Sequence, residues 1–143
     1  MKHITTKKRI MTSVILSLTL VVVMGITVFA KQVVTNNIIS TGITAYGSLS
    51  VTWNAGKDDA SAATNTISAT PTALKGGYRV GVRCSAYKNG KLLDGTGSNT
   101  KVTSSSTRVS TYMFITADKF TSIHNITTSS GAVKASKTLQ QSN

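Results

Sequence analysis

The stretch "GYRVGVRCSAYKNGKLLDGTG", Gly77–Gly97, decides the fold. Tyr78, Val80, Val82, Cys84 and Ala86 fall on one side of an extended chain, and Arg79, Gly81, Arg83, Ser85 and Tyr87 on the other. That alternation has the period of two of a strand with one face in a core and one in water. Asn89-Gly90 follows at once and supplies the positive φ angles that a two-residue type I′ turn needs, so the stretch reads as a β-hairpin. In ideal register Lys88 faces Lys91, Tyr87 faces Leu92, Ala86 faces Leu93 and Ser85 faces Asp94. Arg83 is then diagonal to Asp94, within range of an exposed ion pair. The hairpin accounts for most of these side chains. It leaves four cations over: Arg79, Arg83, Lys88 and Lys91, all on the wet side or at the tip.

The same alternation extends in both directions. Gln32–Ile39 and Ile43–Trp53 read as two strands, the second with Leu49, Val51 and Trp53 on one face, and "NAGKDDASAA", Asn54–Ala63, as a polar loop. A third strand is expected over Thr64–Thr70. It ends at Pro71, which has no amide hydrogen to give to a ladder. Gly76-Gly77 marks a turn into the hairpin; beyond it a long strand lies within Val102–Thr116, Ala117–Lys119 is a tight connection, and Phe120–Thr127 is a last strand. "TSSST", Thr103–Thr107, reads as one end of that long strand or an exposed edge. "YMFI", Tyr112–Ile115, is apolar on both faces, which suits a central strand between two layers or a strand whose outer face meets a partner. No run of ten or more residues carries a helical period, and about seven strands at this spacing predict an all-β chain: a small single-domain antiparallel β-sandwich, immunoglobulin-like in general architecture, over residues 31–128. Residues 129–143 are a polar, basic tail or one more edge strand.

Ahead of the domain the chain has the layout of an export signal. Lys2, Lys7, Lys8 and Arg9 make a positive start, Ile10–Phe29 carries no charge, and Val28-Phe29-Ala30 offers small residues to a signal peptidase, so cleavage is expected after Ala30. The apolar run is about twenty residues, long enough to serve instead as an uncleaved anchor. No cysteine lies near Ala30 to carry a lipid. The expected product is secreted or associated with the cell wall through non-covalent contacts, and has no transmembrane segment of its own. The 113 residues after Ala30 suffice for one domain and not for two separate cores. Nearly a third of them are Ser or Thr, a composition that resembles small secreted proteins of Gram-positive bacteria.

Composition excludes most chemistry. The chain has no Glu, one cysteine, and after Ala30 one histidine, His124. A zinc site needs three or four ligands at characteristic spacing, and none is offered. Ser122 and His124 share a strand face, which makes a serine–histidine pair geometrically available, but serine is so abundant here that the coincidence carries little weight. Asp58 and Asp59 are adjacent, so on a strand they point to opposite faces and cannot serve as a glycosidase pair. Calcium at "KDDAS" would need more acids than that segment holds. Cys84 belongs to the core face, where a free thiol behaves as a small apolar side chain. "NIT" at Asn125 matches a glycosylation sequon, an accidental match in a bacterial export product. No catalytic, cofactor-binding or metal-binding residue is therefore assigned, and no cofactor is expected.

What remains is charge. Twelve Lys and Arg against four acids leave the part after Ala30 at +8, a field that holds a protein near polyanions without regard to their sequence. The partners such a product meets are anionic cell-wall polymers, acidic glycans and anionic membrane surfaces. Nucleic acid fits less well, because only Tyr78 and Tyr87 stand among the arginines as platforms for bases. The expected function is that of a small, secreted, cationic, non-enzymatic protein, a cell-surface or envelope-associated binding or adhesion module that contacts anionic polymers through Arg79, Arg83, Lys88 and Lys91. Two alternatives share these features: a secreted antimicrobial or toxin-like protein of bacteriocin type, and a structural subunit of an extracellular assembly that polymerises through exposed edges such as Ser104–Arg108.

Overall fold

Alternating small and apolar residues build eight antiparallel strands. The computed structural model describes residues 31–40 and 42–143. The export segment, residues 1–30, and the cleavage point after Ala30 lie outside the described residues. The strands are β1 (Lys31–Ser40), β2 (Ile43–Thr52), β3 (Asp58–Ala69), β4 (Arg79–Lys88), β5 (Lys91–Lys101), β6 (Arg108–Ile115), β7 (Lys119–Thr127) and β8 (Val133–Ser142), with a five-residue helix α1 (Pro71–Lys75) between β3 and β4. They form two four-stranded sheets, β1-β2-β3-β6 and β5-β4-β7-β8. Among the described residues no helix is long and apolar enough to cross a membrane.

The sheets face each other across a thin core. On β2, Ile43, Ala45, Leu49 and Val51 are buried, and Trp53 beyond its end packs on Phe120 of β7 with ring centroids 5.5 Å apart. Val80, Val82, Cys84 and Ala86 of β4 meet them from the other sheet, as the alternation predicts. Much of the remaining core is alanine: Ala60, Ala62, Ala73 and Ala117 join it. Two neighbouring strands of the first sheet, β3 and β6, connect to two neighbouring strands of the second, β4 and β7, so the chain crosses between layers at adjacent places. At one side a hydroxyl contact between Thr96 of β5 and Thr111 of β6 ties the two edges together.

Several expectations are corrected. The polar loop expected over Asn54–Ala63 stops at Lys57, because Asp58 is buried with Oδ1 accepting from the Asn54 amide (2.9 Å) and Oδ2 from the Ala117 amide (3.0 Å). This double clasp starts β3 six residues before Thr64. The strand count is eight rather than about seven, since Val133–Ser142 adds an edge strand beside β7 with Leu139 turned inward. Pro71 is the first residue of α1, where a missing amide hydrogen costs nothing, and Thr70 caps that helix by accepting from the Ala73 amide. "TSSST" is a turn rather than a strand end or an exposed strand edge: Thr107 Oγ1 accepts from the amides of Thr103 and Ser104 and donates to the Ser104 carbonyl. "YMFI" lies on β6, the edge of its sheet and not its centre, with Tyr112 and Phe114 pointing to water.

A glycine-floored hollow between two arginines

The Asn89-Gly90 turn forms as read, with φ of 51° and 75°. Lys88 pairs with Lys91 and Tyr87 with Leu92. One step further the register changes. A bulge leaves Leu93 unpaired, so Ala86 pairs with Asp94, not Leu93, and Ser85 with Gly95, not Asp94. The Arg83–Asp94 ion pair is thereby removed: Arg83 pairs with Gly97, while Asp94 Oδ1 accepts from the Gly95 amide at 2.7 Å. The bulge has a second effect. It places Gly95 and Gly97 on the outer face beside Ser85 and Arg83, where an unshifted register would put their neighbours.

Gly81 is the centre of the result. On β4, Arg79 and Arg83 stand two residues to either side of it on the same face, about 7 Å away along the strand. Across the sheet, Asn99 of β5 and Asn125 of β7 are its direct partners. The two carboxamides thus flank a residue with no side chain, while the Arg83 side chain lies along Gly97 and Gly95 on the side away from Gly81. A Cβ on Gly81 would lie 2.5 Å from Asn125 Oδ1, and one on Gly97 would lie 3.2 Å from the Val82 carbonyl, so Gly81 makes room for the Asn125 side chain and Gly97 for the close approach of the β4 backbone. Arg79 Nε donates to Asn99 Oδ1 at 2.9 Å, which fixes the direction of that guanidinium. The β7–β8 turn, Ser129–Gly131, forms the rim beyond Asn125. The whole is a hollow of about 590 Å³ with no acidic side chain and no aromatic one in its lining.

The four cations of the expected site do not lie side by side. Arg79 and Arg83 line the hollow, whereas Lys88 and Lys91 face each other at the hairpin tip, about 30 Å from Arg79 at the rise of a strand. Lys119 lies over the Tyr87 ring at 4.6 Å from its centroid, which occupies that face of the ring. Asn99, Asn125 and Gly97 are site residues that the sequence reading missed. A signal was present: glycines inside strands of otherwise good propensity mark bulges or close approach, and Gly81, Gly95 and Gly97 are three such residues in two adjacent strands.

The remaining reactive groups are turned inward. Ser122 Oγ does bond His124 Nε2, at 2.7 Å, but both residues have no exposed surface. The other ring nitrogen, Nδ1, is 2.9 Å from Thr64 Oγ1 of the facing sheet, and that hydroxyl donates to the Gly81 carbonyl. Burial holds the imidazole pKa down to about 4. His124 is thus a polar tie between the sheets directly beneath the hollow, rather than an ordinary strand histidine. Burial likewise pushes the Cys84 thiol up to about 11. Asp59 accepts from the Tyr112 hydroxyl and from Asn54 Nδ2, and among the described residues no three His, Cys, Asp or Glu come together as metal ligands would. Comparison of the chain with protein-family models, with curated proteins and with solved structures found no match.

Proposed function

We propose that this chain is a small, secreted, cationic binding module of the cell envelope, without enzymatic activity, and that it contacts anionic polymers. One observation carries the reading: Arg79 and Arg83 line a hollow in the second sheet whose lining holds no acid. A merely solubilising charge needs no such hollow. The sandwich is immunoglobulin-like in this reading, supported by the way β3 and β6 cross to β4 and β7, as strand pairs do in Greek-key sandwiches. Lys88 and Lys91, remote from the hollow, add long-range attraction and no shape.

The test is retention of the purified protein on isolated cell walls across a range of salt. The parent is expected to bind at low salt and elute at high salt. Replacing Arg79 and Arg83 together by Gln should keep the fold within about 1 kcal/mol, because exposed charges contribute little to stability. It should also weaken retention and flatten its salt dependence. A double variant that binds as the parent does at every salt concentration refutes the reading. One observation favours a second role, as a subunit of an extracellular assembly: Tyr112 and Phe114 stand exposed on the edge strand β6. That role requires a concentration-dependent polymer in sedimentation, which Tyr112→Ser with Phe114→Ser would abolish.

A further inference from the structure

We infer that the end of the sandwich at which β1, β3, β5 and β7 finish is a docking surface for a bilayer of anionic lipid. Charge divides along the strands. All four acids lie at the opposite end: Asp58 and Asp59 open β3, Asp118 precedes β7, and Asp94 pairs with Ala86 close to the hairpin tip. Main-chain donors tie two of them into that end, the Ala117 amide to Asp58 and the Asn89 amide to Asp118. Lys31, Lys57, Lys88, Lys91 and Lys119 stand there too, so that end is nearly neutral. The surplus lies elsewhere. Lys75 of α1, Arg79, Lys101, Arg108 and Lys134 surround the far end, Arg83 and Lys137 lie between, and no acid stands among the five. The hollow opens beside this end and shares Arg79 with it.

Cations alone would suit any polyanion. The same end, however, exposes Ile39, Ile67 and Val133, each by more than half. Ile39 pairs with Thr44 at the end of β1, Thr44 pairs with Ser68, and a bulge leaves Ile67, the residue before Ser68, without a partner on β2. Val133 opens β8 opposite Thr127. A dissolved polyanion has nothing to lay over these aliphatic side chains, whereas a bilayer presents headgroup charge to the cations and acyl chains to the aliphatics in one plane. The near-neutral end also exposes apolar residues, Leu92 and Phe114 among them, but Asp59, Asp94 and Asp118 would repel the headgroups there. Charge therefore chooses the end. The chain enters at Lys31, so what precedes β1 joins the sandwich one ten-residue strand, about 33 Å, from the docking surface.

The experiment is co-sedimentation of the secreted protein with vesicles, either of phosphatidylcholine alone or of phosphatidylcholine with an equal share of phosphatidylglycerol, at about 0.1 M salt. Binding is expected to the mixed vesicles only. Two variants remove the same charge from opposite ends, all at exposed positions that leave the fold intact. One carries Lys75→Gln, Lys101→Gln, Arg108→Gln and Lys134→Gln, the other Lys31→Gln, Lys57→Gln, Lys88→Gln and Lys91→Gln. Each cation near an anionic bilayer strengthens partitioning roughly fivefold, so the first variant should lose at least about tenfold and the second should stay within about threefold of the parent. Ile39→Ser with Ile67→Ser and Val133→Ser, unchanged in charge, should weaken binding by about tenfold. Both charge variants keep Arg79 and Arg83, so retention on cell walls through the hollow is read separately. Equal losses in the two charge variants reduce binding to net charge and overturn the surface. An unaffected serine variant overturns the bilayer as the occupant. Binding to neutral vesicles as tight as to mixed ones, or to neither, overturns the inference altogether.

Discussion

Thr64 of β3 and His124 of β7 join the two sheets through their side chains, Oγ1 to Nδ1 at 2.9 Å, with both residues fully buried. The Thr64 hydroxyl has one proton and spends it on the Gly81 carbonyl, so toward the imidazole it can only accept. Nδ1 therefore carries the ring proton, and Nε2 accepts from the Ser122 hydroxyl. The imidazole is fully satisfied in its neutral form. Burial penalises the charged form of the ring, and the pKa falls to about 4.

Stability should therefore fall with acid through a defined window. The unfolded chain takes up a proton on His124 near the ordinary value of about 6.5, and the folded chain only near 4. Between these values the unfolded state binds more protons, so the stability present above pH 6.5 is lost as pH falls, by about 3 kcal/mol in all. Urea midpoints from pH 7.5 to pH 5 test this above the range where carboxylates titrate. His124→Gln should lower stability at pH 7.5 and remove the slope; a slope that persists would place the acid sensitivity elsewhere.

Gly47 allows that histidine to fit. A Cβ there would lie 2.7 Å from His124 Cγ, in a core too closely packed to give way. Gly47→Ala should cost on the order of 2 kcal/mol, measured by chemical denaturation. In a His124→Ala background the penalty should shrink by more than half, since the ring that causes the clash is gone.

At the hairpin tip the constraint is on the backbone rather than on space. Gly90 has φ 75° and nothing within 4 Å of the position a Cβ would take. Gly90→Val should destabilise by about 1 kcal/mol or more, because a β-branched residue resists that angle, while Gly90→Asn should cost less. Thermal melts of the two variants separate conformational strain from crowding, which would penalise both alike.

Cys84 should be inert. The thiol has no exposed surface and burial raises it to about 11, so almost no thiolate exists at neutral pH. Labelling by a thiol reagent should be slow in buffer and fast in urea, with the native rate tracking global unfolding. Fast labelling of the native protein would require Cys84 to lie outside the core.

The parts of this fold that were legible in the sequence are those where chemistry alternates strongly. Val80, Val82 and Cys84 against Arg79 and Arg83 leave no doubt about which face is which, and Asn89-Gly90 has one good conformation. The start of β3 was illegible because in "DDASAATN" the alternating residues are all small, and the buried Asp58 looks like a loop acid until its two amide partners are known. The bulge at Leu93 is signalled only indirectly, by Gly95 and Gly97 further along the strand, which do not give its position. The hollow depends on that bulge and on Asn125, which is distant in sequence from its partner Gly81, so only the tertiary pairing brings its lining together.

Strand β5 is the most exposed strand in the molecule. From Lys91 to Lys101 only Thr96 and Thr100 are better than largely exposed, and on the sheet side β4 alone pairs with it. So little buried area makes it the segment whose amides exchange with solvent soonest, opening well below the free energy of global unfolding. It also supplies Gly97, Ser98 and Asn99 to the hollow. An occupant seated between β5 and β4 would act as a rung laid across that loose edge, and the slowing of amide exchange in residues 95–101 would report occupancy even where no side chain changes place.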